Sequence, residues 1–357
     1  MKKLLVVFLS LLVFAACSDS DHGNWIERSD FNGPPRTDAV CFQIDDKVYV
    51  GTGYDSSQDK DLEYFTDFWV FEGPTKPWKK VAPFPGTGRS GAVGFALNGR
   101  GYVGTGYGYK QADDTYTDEL EDFYEFNPNG TTTIGEVTYS GSWTKVADFP
   151  GGRRRGALAF VLNGKAYVGT GYGPGVEDEE GVEIVSNDMY TFDGSNWVEV
   201  GSTIGKRQDA SVFMIDGKAY IVGGRNKDGS NNEDFYSFDG TDWIELTDLD
   251  HTDFGWTGVM RSNAVSFSLD EIGYVALGTS KEVWKYDPTL DNKALGKAAL
   301  PHKHTWYEKT EFEGTARTGA ISFVWQGRIF LGLGGPAGSP YDDIWEFKPY
   351  DNYDDRD

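Results

Sequence analysis

Short apolar segments separated by turn residues recur along the whole chain. The stretch 91–97 (GAVGFAL) is apolar throughout, as expected of a strand covered on both faces. GYVGTGY (101–107), an alternating DFYEF (122–126) and WTKVA (143–147) follow it, which predicts four short strands in succession. Asn98-Gly99, Asn163-Gly164 and Asp216-Gly217 fall between first and second segments. They are strong hairpin dipeptides, because both central residues of a type I′ turn take positive φ.

The unit repeats. Arg36, Arg89, Arg154, Arg207, Arg261 and Arg317 each open the pattern R-x-x-A-x-x-F, with Ala at 39, 92, 157, 210, 264 and 320 and Phe at 42, 95, 160, 213, 267 and 323. An aromatic follows at Tyr49, Tyr102, Tyr167, Tyr220, Tyr274 and Phe330, and four residues later comes Gly53, Gly106, Gly171, Gly224, Gly278 or Gly334. The arginines are spaced by 53, 65, 53, 54 and 56 residues, so the period is that of a supersecondary unit with loop insertions. A third strand recurs at Asp67-Phe68-Trp69, Asp188-Met189-Tyr190, Asp234-Phe235-Tyr236, Glu282-Val283-Trp284 and Asp343-Ile344-Trp345. A fourth surrounds Trp78, Trp143, Trp197, Trp243 and Trp306, but no such Trp follows Trp345. The missing one is Trp25, so the N-terminal strand is expected to complete the sixth sheet.

Four-stranded units with a glycine-ended second strand and spaced Tyr and Trp resemble kelch repeats, over residues 24–349. The glycine pair of that family is present as Gly223-Gly224 and Gly334-Gly335. The GTG form of the first three units is similar to repeats in secreted Bacteroidetes proteins. The resemblance implies an all-β, six-bladed kelch β-propeller, in one domain where 357 residues would otherwise suggest two or three. It extends to the galactose-oxidase-like superfamily, without the copper site, and a monomer is expected.

With strands lettered A to D from the channel outward, B–C and D–A loops share one face. The six arginines enter strand A on that face and ring the channel mouth. In some kelch adaptors equivalent arginines grip acidic peptides, which implies a carboxylate or anionic-sugar site at Arg36, Arg89, Arg154, Arg207, Arg261 and Arg317. A residue present in all six repeats can equally serve the repeat, by bridging to an acid or carbonyl of a neighbouring blade. Positions that differ between blades bear more on a specific site. Arg153 and Arg155 make blade 3 unusually basic, and Asp38 and Asp209 stand where other blades carry Gly or Asn. The residue after the repeated glycine is Tyr54, Tyr107, Tyr172, Arg225, Thr279 or Gly335. Tyr54, Tyr107 and Tyr172, with Tyr109 near and Arg225 next in the ring, suit a sugar: ring faces stack on aromatics while hydroxyls take charged hydrogen bonds.

Charge narrows the partners. There are 33 Lys+Arg against 56 Asp+Glu, a net charge of −23, and −25 once Lys2 and Lys3 are set aside. A polyanion would be repelled, which excludes general nucleic-acid binding, and docking on anionic lipid by charge is disfavoured as well. Acid runs at 59–61, 113–114 and 177–180 lack the spacing of a calcium loop and are expected to form a solvated wall.

Lys2 and Lys3, an apolar run over 4–14 and Ala15-Ala16 read as a secretion signal, residues 1–16. Small residues before Cys17 resemble the lipobox of bacterial lipoproteins, and Ser18-Asp19-Ser20-Asp21 resembles an acidic surface-export tag. Residues 17–23 then form a lipidated tether and 350–357 an acidic tail. The implied address is the outer membrane, held by a lipid on Cys17 and exposed at the cell surface. Cys41, the only other cysteine, then has no disulfide partner and reads as packing.

Kelch propellers include a copper oxidase acting on galactose and a periplasmic sialic-acid mutarotase. The oxidase needs two imidazoles and a thioether-linked tyrosine. Here His22 lies in the tail, His251 on the arginine face, and His302 with His304 on the opposite face, which excludes that chemistry. No metal and no cofactor are expected. A mutarotase needs only an acid–base pair beside a sugar, and Asp250, His251 and Asp253 near Trp256 could supply one. The principal expectation is a non-catalytic surface lipoprotein that binds a glycan or protein ligand on the arginine face; the alternative is a sugar mutarotase.

Overall fold

The computed structural model describes residues 22–55, 57, 63–109, 117–175, 184–336, 338–354 and 356. Six four-stranded antiparallel sheets follow one another around a central channel. Blade 1 runs Val40–Ile44, Lys47–Gly51, Phe68–Phe71 and Lys79–Val81, and blades 2 to 5 repeat this meander. Blade 6 is built from Ile321–Trp325, Arg328–Gly332 and Ile344–Lys348, and its outermost strand is the N-terminal Asn24–Arg28. Arg28 and Arg328 both pair with the buried Glu346 beside that seam. Among the described residues the only helical turns are the 3-10 segments Trp256–Val259 and Pro288–Leu290, and no helix is long and apolar enough to cross a membrane.

The repeated aromatics, arginine and glycine each have a mechanical reason. The motif Phe lies across from the second-strand aromatic in each blade, with stacked or near-stacked rings: Phe95 and Tyr102 have centroids 5.4 Å apart, Phe160 and Tyr167 5.0 Å, Phe323 and Phe330 5.3 Å. These columns join six clusters in which each sheet packs on the next, so the core lies between blades. The outer Trp hooks the preceding blade: Trp143, Trp197 and Trp243 donate to the carbonyls of Ala82, Ala147 and Gly201. Trp25 does the same to Thr310, which makes it the fourth-strand Trp of blade 6.

One of the expected features takes a different form. First strands alternate between buried and half-buried positions, because one face of each lines the channel with small side chains. The insertion at 127–142 is regular structure: strands Phe123–Ile134 and Val137–Val146 continue as one long hairpin.

The arginines are the braces of the blades. Each is 0–5% exposed and pairs with the acid that opens the third strand of its own blade, not of a neighbour. Arg36 meets Asp67, Arg89 meets Asp122, and Arg154 meets Asp188, each at 2.6 Å; Arg207 meets Asp234 at 2.5 Å and Arg261 meets Glu282 at 2.6 Å. Arg317 pairs with Asp343. Nη1 also donates to the carbonyl sixteen residues on, at Thr52, Thr105, Thr170, Gly223, Leu277 or Leu333. That carbonyl belongs to a turn whose two central residues both have positive φ, for example Thr105 at 57° and Gly106 at 99°. A Cβ on Gly106 would lie 2.8 Å from the Ser90 carbonyl, so glycine is required there. The same glycine N–H donates to the arginine carbonyl of the next blade. The links run Gly53 to Arg89, Gly106 to Arg154, Gly171 to Arg207, Gly224 to Arg261, Gly278 to Arg317 and Gly334 to Arg36, at 2.7–3.1 Å. Six hydrogen bonds thus close a ring.

Removing one partner of such a pair leaves a buried charge uncompensated. Asp122→Ala is expected to lower unfolding free energy by about 3–5 kcal/mol in urea titrations. An unchanged midpoint would mean that the pairs do not hold the blades.

Candidate functional site

With their guanidinium groups buried in these pairs, Arg36, Arg89, Arg154, Arg207, Arg261 and Arg317 do not form the ligand-binding ring that sequence allowed. What they do is position their neighbours. In five of the six blades the residue after the arginine pairs with the residue after the repeated glycine: Thr37 with Tyr54, Ser90 with Tyr107, Arg155 with Tyr172, Gln208 with Arg225 and Thr318 with Gly335. One position further on, Asp38, Gly91, Gly156, Asp209, Asn263 and Gly319 all have positive φ. Their backbones link blade to blade, with Asp38 N–H donating to Gly319, Gly91 to Asp38, Gly156 to Gly91, Asp209 to Gly156 and Asn263 to Asp209. These two rows form the mouth of the channel.

The mouth is a cavity of about 350 Å³ whose chemistry comes from Asp38, Tyr54, Tyr64, Tyr107, Arg155, Asp209 and Arg225. Both acids lie flat against a neighbouring blade. A Cβ on Gly319 would sit 2.7 Å from the Asp38 carboxylate, and one on Gly156 would collide with that of Asp209. Glycine at those two positions makes room for the carboxylates.

Arg225 grips Asp209 through Nε and Nη2, each 3.0 Å from one carboxylate oxygen, and its side chain remains 41% exposed. The guanidinium of Arg155 lies 4.5 Å from the Tyr107 ring centroid and 5.2 Å from that of Tyr172, with Nε 3.7 Å from the buried Glu119 carboxylate. Two aromatic faces and one acid therefore fix its orientation, and it stays 38% exposed. Tyr64 continues the series, its ring 6.4 Å edge-on from Tyr107 and 5.7 Å stacked on Tyr54. A ladder Tyr54–Tyr64–Tyr107–Arg155–Tyr172 crosses three blades.

Burial pushes the Asp38 carboxyl up to about 6, against the Thr37 hydroxyl that donates to it at 3.0 Å; the charge of Asp209 adds to the rise, and Arg155 and Arg225 oppose it. Burial also raises Asp209, although Arg225 pulls the other way. The mouth thus pairs two half-exposed guanidinium groups, suited to an anion, with two carboxyls, one poised to exchange a proton near neutrality.

Of the residues expected from sequence, Tyr54, Tyr107 and Arg225 line this cavity, and Tyr172 stands behind Arg155. Arg153 pairs with Asp118. The side chain of Tyr109 and the acid runs at 59–61, 113–114 and 177–180 lie outside the described residues, as does Cys17. His251 is stacked on Phe254, itself stacked on the buried Trp256, and does not line the mouth. Asp250, His251 and Asp253 are thus replaced as acid–base candidates by Asp38 and Asp209. Tyr64 was missed because it stands in a loop without a repeat pattern. Beneath the mouth, a narrower cavity of about 240 Å³ is walled by first-strand residues, Cys41 among them, and burial pushes that thiol up to about 12.

No protein-family model matches the chain. N-acetylneuraminate epimerases from Escherichia coli K12 and Shigella sonnei are each 27% identical to it over 190 residues, 50% of this chain and 48% of theirs. The chain therefore matches about half the length of these curated relatives. The solved structure of YjhT is similar with a TM-score of 0.65 and 18% identity, over 89% of this chain and 95% of that one. That likeness supports the propeller fold.

The Asp38 carboxyl binds its proton more tightly in the folded state, so stability falls as pH rises from about 4 through 6. Asp38→Asn should match the wild type at pH 4 and exceed it at pH 8 by about 2–3 kcal/mol in urea titrations. An equal difference at both pH values would mean that Asp38 ionises as an exposed carboxyl does.

Proposed function

We propose that this propeller is a mutarotase for a carboxylate-bearing sugar of the sialic-acid type, acting at the channel mouth. The observation that carries this reading is the juxtaposition of Arg155 and Arg225 with Asp38 and Asp209 in one cavity. The partial likeness to N-acetylneuraminate epimerases supports the substrate class.

In this reading the guanidinium groups of Arg155 and Arg225 take the sugar carboxylate, and the faces of Tyr54, Tyr64 and Tyr107 receive the pyranose ring. Interconversion of anomers needs only proton movement. A base removes the anomeric hydroxyl proton as an acid protonates the ring oxygen; the bond between anomeric carbon and ring oxygen breaks, leaving an open-chain ketone. Rotation about the bond to the former anomeric carbon and closure on the other carbonyl face return both protons. Asp38, with its carboxyl near 6, and Asp209, which burial also raises while it holds Arg225 in place, are the pair that takes up one proton and gives back the other. Glu119 and the flanking tyrosines hold Arg155 in place. We also propose that residues 1–16 are a signal and that a lipid on Cys17 holds the protein at the outer membrane; the supporting features are Lys2, Lys3, the apolar run at 4–14 and Ala15-Ala16.

The test follows anomer exchange by NMR after a sialidase releases one anomer of N-acetylneuraminate. Wild type should accelerate exchange, Asp38→Asn should lower kcat by roughly 10²–10⁴, and Arg225→Ala should chiefly weaken binding. His251→Ala should behave as wild type. Binding without acceleration would refute catalysis and leave a sugar-binding module; no binding at all would refute the site.

A further inference from the structure

The apolar side chains left in solvent are not spread evenly over the propeller. Among the described residues the exposed large hydrophobics are Ile134, Val137, Val198, Ile244, Leu295, Leu300, Tyr350 and Tyr353. Six of these belong to the ends where third strands give way to fourth strands, on the face opposite the mouth. Ile134 and Val137 face each other across the tip of the long blade 2 hairpin. Leu295 and Leu300 stand in the blade 5 insertion between Val283–Tyr286 and Trp306–Lys309, and Leu295 lines one recess with the turn residues Asp216 and Glu271. Tyr350 and Tyr353 follow the third strand of blade 6.

The chain enters on this same face. Asn24 pairs with Lys348 at the third-to-fourth-strand end of blade 6, Gly23 N–H donates to the Asp351 carbonyl at 3.1 Å, and Asp354 N–H donates to the Asn24 side chain at 2.9 Å. The described chain therefore begins beside the segment that carries Tyr350 and Tyr353. From Cys17 to Gly23 there are six residues, at most about 20–22 Å when extended. The five-residue strands of the blades are already about 17 Å long, and the mouth lies at their other end.

We propose that the face opposite the mouth is a bilayer-docking surface, with Leu295, Leu300 and the Ile134/Val137 tip meeting the lipid and the mouth directed away from it. The inference rests on the proposed anchoring at Cys17. Its occupant is the lipid surface to which the chain is tied, because that surface is what the short tether brings within reach. The face carries both signs of charge, Asp45 and Asp270 alongside Lys165 and Lys303, so contact comes through apolar side chains and does not require anionic lipid.

The test uses the full chain, made in a bacterium that acylates lipoproteins and reconstituted in phosphatidylcholine vesicles. In a Cys41→Ser background (the residue that blades 5 and 6 carry in that slot), a single NBD fluorophore is placed by Leu300→Cys, Val137→Cys or Asp228→Cys, the last on the mouth face. Mass spectrometry of the N-terminal peptide reports the acyl group on Cys17. The expected result is a blue shift and at least twofold quenching by doxyl lipid at 300 and 137, with neither at 228. An acylated chain with 300 and 137 unquenched, or with 228 quenched instead, would overturn the docking face alone. Absence of the acyl mass would overturn the anchor and the docking face with it; neither result touches the mutarotase reading, which the exchange assay tests separately.

Discussion

A buried guanidinium paired with the acid that begins the third strand is the constraint on which this propeller depends. A cation with almost no exposure is tolerable only if every donor finds an acceptor. Here the acceptors are the acid, the loop carbonyl before the arginine and the carbonyl freed by the left-handed turn after the second strand. Arginine, glycine and acid are thus specified together, since losing one strands the other two. Burial alone would raise the Asp67 carboxyl, but the hydrogen bonds and charge of Arg36, with the Trp69 indole, hold it below its ordinary value. The main chain of the arginine then bonds the preceding blade, so one residue organises its own sheet through the side chain and its neighbour through the carbonyl.

The fold was legible because the repeat exposes its own mechanics. Arg, Ala, Phe, aromatic and Gly recur because each meets the same requirement six times, and the absence of a last outer Trp located the closing strand at Trp25. The site was legible only by contrast. Arg155, Asp38 and Asp209 differ from their counterparts at two positions enclosed by unvarying ones, which marked them as special without stating a role. The arginine ring misled for a physical reason: side chains at a channel entrance can point into the solvent or back into the sheet, and only the acid at the start of the third strand decides which. Tyr64 had no periodic marker, and its place depends on how a long loop folds back onto its own blade.

The mouth also separates local from global charge. The chain carries a net −23, yet two half-exposed guanidinium groups face one cavity at the channel mouth. Arg155 and Arg225 are held there by Glu119 and Asp209, each of which neutralises its partner in part while leaving an exposed edge. Such pairing keeps two cations at one cavity without the mutual repulsion that would drive them apart. It also confines the attraction to a ligand close enough to replace water at those edges.

The seam between the first and last strands sets the order in which the molecule can be finished. Asn24 pairs with Lys348, and the glycine-to-arginine ring closes through Gly334 and Arg36. Five blades can assemble in turn from the N-terminal side, but the opening strand has no partner until more than 300 further residues have emerged. For that interval the edge that will receive Asn24–Arg28 does not exist, and the first strand must remain soluble on its own. A strand of five residues carrying Arg28, Glu27 and one tryptophan is short and polar enough to do so.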